Sequence, residues 1–267
     1  MLYKVDSKGY VVNDASYLKI KKKDRELLEE VKRLYINNLG ENFLSFYIRG
    51  SVSVGRSKPF ISDVDNVAIT KEKMKRKDLL WTIKETKNLE KRYKEIGMIE
   101  LAVVSREELL NSYEYKNLRV YLKTQSVCLA GEDIVEEIEK VKVGKELAKI
   151  LYDDLPKEIS ILKKIFKGEI KNREYLFQKR PIKFWCVWMT RTLLRAGMGI
   201  IMTKEIVYSQ DLKTCREVFL KHYPVFKKEM DILIKWSVCP SSDKKVLYNF
   251  LSSFEKKFMP IYYKNIN

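Results

Sequence analysis

Two aspartates one residue apart, Asp63 and Asp65, open a short apolar run, VDNVAI (64–69). Its β-branched residues make it read as a strand. In a strand, residues i and i+2 project to one face, so both carboxylates lie on the same side, about 7 Å apart along the chain. Paired carboxylates hold hard cations such as Mg²⁺, which also bind phosphate oxygens. One ion can neutralise a triphosphate, and a second can lower the pKa of an attacking hydroxyl. A further acid, Glu100, sits inside MIELAVV (98–104), another strand candidate. An acid in an apolar strand is costly unless paired or metal-bound. Beside the Asp pair it becomes a third carboxylate; by itself it could equally face solvent on an edge strand.

Just upstream, Phe43 to Ile48 is aromatic and β-branched, a second strand candidate. Gly50 follows, where a backbone can turn sharply or approach a ligand closely. Ser51 adds a hydroxyl, and a short helix starting near it would favour an anion such as a triphosphate. Gly55 loosens the next turn, Arg56 and Lys58 bring positive charge, and 59–62 reads as loop. A Gly-Ser turn or an Asp-x-Asp pair is common on its own. The combination is far more specific: strand, Gly-Ser, eleven residues, Asp-x-Asp in a strand, then a later strand carrying an acid.

The elements that must position these groups follow from periodicity. Lys22 to Leu39 reads as an amphipathic helix with Leu27, Leu28, Val31, Leu34 and Tyr35 on one face, stopped by Gly40. The charge run KEKMKRKDLL opens a helix through Arg92, its lysines either a solvated face or a nucleic-acid patch. Residues 105–127 look helical, and Gly131 marks a turn. Residues 1–18 are irregular, with an extended piece at 10–12. This alternation of helix and strand is that of an α/β layer. From about Val143 the pattern is helical only. Apolar residues at 147, 150, 151, 155, 159, 162, 165 and 166 keep helical spacing through Lys167, with Pro156 breaking or kinking it. Arg173 to Met202 continues helical, its aromatics Tyr175, Phe177, Phe184, Trp185 and Trp188 reading as core. Asp211–His222, Val225–Val238 and Ser242–Phe258 are further helices, with the single histidine, His222, at a helix end. The fold class is therefore α+β: an α/β core with a short mixed sheet over residues 1–140, then an α-helical bundle over 141–267. The active site is expected in the cleft between the halves. Arg191 and Arg195, four apart on one helix face, and Lys204 could clamp phosphate charge from the helical side, or be surface residues.

RGSVSVG followed by SDVDNVAI resembles the signature of the DNA polymerase β-like nucleotidyltransferase superfamily. The likeness is closest to bacterial small-molecule nucleotidyltransferases, including aminoglycoside adenylyltransferases. It extends to Glu100, where those enzymes carry a general base, and to Arg191, twelve intervening residues and Lys204, like their Arg and Lys that contact nucleotide phosphates. YLKTQSVCLAGEDI (121–134) and YSQDLKTCREVFLKHYP (208–224) are similar to stretches of poorly characterised bacterial nucleotidyltransferases. The resemblance implies an adenylyltransferase with ATP as donor and Mg²⁺, two ions, held by Asp63, Asp65 and Glu100. Glu100 then acts as general base, metal ligand or both. The nucleotide-binding set is Gly50, Ser51, Arg56, Ser62, Arg191 and Lys204. The acceptor is a small hydroxylated molecule such as an aminoglycoside, which would make the chain an antibiotic-resistance enzyme.

Other readings of the same residues stay open. Fifty-three basic against 36 acidic residues give a net charge of +17, which favours polyanions, so RNA or tRNA is an alternative acceptor; a Lys-rich solvated surface explains the charge equally. A small polycationic acceptor predicts an acidic pocket, with Glu132–Asp133 and Asp153–Asp154 as candidates. Protein as acceptor is another alternative, and so is a non-catalytic antitoxin with the same fold. Four cysteines far apart, with no C-x-x-C pair, argue against a zinc site or a disulfide framework and fit a cytoplasmic protein. No apolar run approaches a membrane span, and no h-region marks a signal peptide.

Overall fold

The structure is a computed structural model and describes residues 1–59, 62–169 and 180–266. It divides into two compact units: one spans Val12–Val141, the other Met1–Val11 together with Lys142–Asn267.

The first unit is built on a four-stranded mixed sheet in the order β3-β2-β1-β4. Its strands are β1 (Phe43–Arg49), β2 (Val64–Thr70), β3 (Ile99–Ser105) and β4 (Ser126–Gly131). β1 runs antiparallel to β2 and β4, and β2 runs parallel to β3. Four helices cover it: α1 (Lys22–Leu39), α2 (Leu80–Arg92), α3 (Arg106–Asn111) and α4 (Lys116–Gln125). Side chains alternate across a strand, and the two faces bury different sets. Leu27, Val31 and Tyr35 of α1 and Leu89 of α2 pack with Phe46, Ile48, Val64, Ala68, Ile99 and Leu101. On the opposite face, Leu109 of α3 and Leu122 of α4 pack with Tyr47, Val67, Ile69 and Val104. Both faces of the sheet are thus covered, as parallel pairing requires.

Two expectations change here. Residues 105–127 are not one helix. Ser105 ends β3 and caps α3 with a capping box to Glu108. Ser112 is extended (φ −80°, ψ 135°), and α4 restarts at Lys116. The second change is β4 itself: SVCLAG pairs along β1, with Leu129 on one sheet face and Cys128 on the other. Four apolar residues after an amphipathic helix are too few for a readable period, and only the open edge of β1 gives them a partner.

The second unit is helical: α5 (Lys145–Tyr152), α6 (Leu155–Lys167), α7 (Ile182–Met202), α8 (Leu212–His222), α9 (Lys227–Val238) and α10 (Lys244–Ile266). Pro156 marks the break between α5 and α6, standing in the first turn of α6, where its missing N–H costs nothing. α7 is the central helix, in contact with α5, α6, α8, α9 and α10. All its residues from Ala196 to Met202 are buried. A Cβ on Gly199 would come within 2.4 Å of the Tyr152 ring, so the close approach of α7 to α5 needs glycine there. α7 begins at Ile182, behind Pro181 in extended conformation (φ −68°, ψ 158°); the stretch 173–179 of the expected helix lies outside the described residues. Tyr175 and Phe177 lie outside the described residues. α10 runs on past Phe258, through Pro260, to Ile266. Burial of Met259, Tyr262 and Ile266 continues its apolar stripe and offsets the roughly 3 kcal/mol that an interior proline costs. Residues 1–11 join this unit: Tyr3 N–H donates to Tyr208 O (2.8 Å), their rings stack at 5.0 Å, and Tyr10 pairs with Lys142. Among the described residues no helix is long and apolar enough to cross a membrane.

Candidate active site

β1 ends at Arg49, and the chain reverses through residues 50–55. Residues 50–55 are a turn, with no helix starting at Ser51. Gly50 and Gly55 adopt φ of +73° and +74°, the left-handed region that a right-handed helix excludes. The turn is tied down at both ends. Gly50 N–H donates to Gln125 O at the end of α4 (3.1 Å), and Arg56 N–H donates to Ser51 O (2.7 Å). Ser53 Oγ also donates to Gln125 O (2.7 Å). A Cβ at Gly50 would stand 3.0 Å from Asp65 Oδ2, so this is where the turn backbone and the carboxylate meet.

Asp65 and Glu100 are direct partners in the parallel register of β2 and β3. Residues so paired lie on the same sheet face, on strands about 4.8 Å apart. Asp65 shares its face with Val67 and Ile69, Glu100 with Ala102 and Val104. Glu100 is exposed and Asp65 half-buried. Asp63, half-buried, precedes the first residue of β2, Val64, whose N–H donates to Met98 O (2.8 Å).

A buried polar network holds that register. Asn66 Nδ2 donates to Glu100 O (2.8 Å) and Val64 O (3.0 Å), bridging the two strands at the carboxylates. Tyr35 of α1 donates its hydroxyl to Asn66 Oδ1 (2.6 Å), with Ala102 O at 3.0 Å. Tyr35 is fully buried. Burial, then the Glu100 charge, pushes its phenol well above the usual range, so it stays a neutral donor.

Sequence reasoning did not single out Arg49. Its Nη2 lies 3.4 Å from Asp65 Oδ1 and its guanidinium over the Tyr121 ring, 5.2 Å from the centroid. The available signal was its position, two residues after Tyr47 on the same strand face and directly before Gly50.

Among the described residues no three metal-ligating side chains converge into a ready-made cage. The donor chemistry nevertheless fits Mg²⁺. Asp65 and Glu100 are hard oxygen donors on adjacent strands, and Mg²⁺ is usually held by one or two carboxylates completed by substrate phosphates. Asp65 Oδ1 is also in contact with the Arg49 guanidinium.

Arg56 and Ser62 pair with other groups. Arg56 Nη2 is 4.0 Å from Asp14 Oδ2. Ser62 Oγ accepts from Lys58 N–H (2.8 Å). Ser62 also lines a cavity of about 320 Å³ with Ser57, Lys58, Val64, Arg92 and Tyr93, which takes in none of the three carboxylates. In the helical unit, Arg191 is half-buried on α7. Lys204, just beyond α7, donates to Tyr223 Oη (2.6 Å) and sits over that ring. Arg195 Nε donates to Gln210 O (3.3 Å). His222 ends α8 with Nε2 2.7 Å from Glu205 Oε1. Of the two acidic pairs, Asp133 is bound up structurally, accepting from Tyr47 Oη (2.8 Å) and Val135 N–H (3.1 Å). Asp153 and Asp154 stand near Glu158, whose carboxyl is pushed up to about 7 by burial and then by those two charges.

No family model matches the chain, and no curated protein matches it. Among solved structures it resembles the spectinomycin adenyltransferase AAD(9) from Enterococcus faecialis, crystallised with ATP and spectinomycin. The TM-score is 0.54 at 14% identity, over 85% of this chain and 99% of that one. At that identity the likeness is one of fold: an α+β core with a helical region, shared with a nucleotidyltransferase.

Proposed function

We propose that the protein is a Mg²⁺-dependent nucleotidyltransferase that moves AMP from ATP to a hydroxyl of a small molecule such as an aminoglycoside, releasing pyrophosphate. The observation that carries this reading is the in-register pairing of Asp65 with Glu100 beside the Gly50 turn. The fold shared with an adenyltransferase crystallised with ATP and spectinomycin supports it.

Asp63, Asp65 and Glu100 would hold the metal. When bound, Mg²⁺ neutralises triphosphate charge. The backbone at Gly50 and the Ser51 hydroxyl receive the phosphates. Glu100 takes the proton of the acceptor hydroxyl. The acceptor oxygen forms a bond to the α-phosphorus as the bond from that phosphorus to the bridging oxygen breaks, and pyrophosphate leaves. Catalysis of this kind rests on positioning and charge stabilisation.

RNA as the acceptor is a second reading, favoured by the +17 charge and by Lys58 and Lys94 at the 320 Å³ cavity. Label transfer decides between them. The protein is incubated with Mg²⁺ and each α-labelled nucleoside triphosphate, with aminoglycosides, total RNA or cell lysate as acceptor, and Asp63→Asn as control. Label from ATP on an aminoglycoside, absent in the control, is the expected result. Label on RNA alone selects the second reading, and absence of nucleotide binding overturns both.

A further inference from the structure

Arg49 is the one cation among the described residues in contact with Asp65, and that contact is loose. At 3.4 Å it is longer than the about 2.7–2.9 Å of a charge-assisted hydrogen bond. The guanidinium is also incompletely used, because Arg49 Nε is buried and has no hydrogen-bond partner. A buried unsatisfied donor is costly, and here it sits on the residue directly before the Gly50 turn. Packing over Tyr121 holds the planar group at this spot and limits where its donors can aim.

We propose that Arg49 is a phosphate-binding residue that serves as the stand-in counter-ion of Asp65 until substrate arrives. This rests on the nucleotidyltransferase reading above. In the free protein the guanidinium offsets part of the negative charge of Asp65 and Glu100, which would otherwise repel each other across adjacent strands. A metal ion at Asp65 places like charges side by side and releases Arg49. A triphosphate at the Gly50–Ser51 turn then offers acceptor oxygens within reach of its fork. Nε–H and one Nη–H can bind a phosphate bidentately, and the orphaned Nε gains a partner. Metal and nucleotide binding are thereby coupled, because Arg49 opposes the first alone and assists the two together.

The test is isothermal titration of wild type, Arg49→Met and Arg49→Lys. One arm uses MnCl₂ without nucleotide; the other uses a non-hydrolysable ATP analogue with Mg²⁺. Arg49→Met should bind Mn²⁺ about tenfold more tightly than wild type and the analogue about 10- to 100-fold more weakly. Arg49→Lys retains the charge but not the fork. It should leave Mn²⁺ affinity near wild type while still weakening the analogue. Analogue binding by wild type that neither variant alters overturns the assignment alone, as does weaker Mn²⁺ binding by Arg49→Met. A wild type that binds neither Mn²⁺ nor the analogue overturns the nucleotidyltransferase reading together with it.

Discussion

Asp65 is crowded on three sides: the Gly50 backbone at one oxygen, Arg49 at the other, and Glu100 across the strand pair. It remains half-exposed, so replacing it removes charge without opening a core. Asp65→Asn and Asp63→Asn should each lower transfer by about 100-fold or more, with thermal midpoints close to wild type. Glu100→Gln should lower kcat by about 100-fold, the scale of a lost general base, yet leave ATP affinity intact in a titration. Near-wild-type transfer by Asp63→Asn would remove the metal assignment. Asp65 and Glu100 were legible as strand residues because each stands in a short apolar run, whereas Asp63 stands just before β2. Arg49 was not, because an arginine before a Gly-Ser turn acquires meaning only when a neighbouring strand brings Asp65 to it.

Between elements, the Tyr35–Asn66 bond ties α1 to the β2–β3 register. Tyr35→Phe keeps the ring but leaves Asn66 Oδ1 buried without that donor. The expected cost is about 1–3 kcal/mol in chemical unfolding, with a fall in kcat as Asp65 and Glu100 lose their fixed pairing. At the start of α6, the raised carboxyl of Glu158 makes a pH prediction. Its folded pKa of about 7 lies above its ordinary value, so the folded state binds more protons than the unfolded chain between the two. Stability from this group is present at low pH and lost as pH rises through about 7. Glu158→Gln should therefore raise the melting temperature at pH 8 and flatten its dependence between about pH 4.5 and 7. An unchanged pH profile would count against this burial. Helices with long apolar periods were read correctly in type. Their ends were not, because a proline such as Pro260 can be carried inside a helix when buried contacts beyond it outweigh its cost.

For the whole molecule, the +17 net charge bears on the acceptor. Polyelectrolyte binding falls steeply with salt: about six phosphate contacts cost roughly 10³-fold in affinity between 50 and 200 mM. If a small molecule is the acceptor, kcat/KM for transfer should vary much less than this across that range, while any RNA binding in a filter assay collapses. Equal collapse of transfer and RNA binding would favour the RNA reading.

Most of the local structure was readable along the chain. Carboxylates spaced by two, a Gly-Ser turn and apolar periods of two and 3.6 residues are properties of neighbouring positions, and short-range backbone geometry reads them directly. Tertiary structure decided what depends on distant partners. It set β4 on the free edge of β1, ran β3 parallel to β2 so that Glu100 meets Asp65, brought residues 1–11 to the helical unit, and placed Arg49 on the carboxylate. Each of these joins residues 16 or more positions apart, where pairing and burial beyond the local segment outweigh local preference.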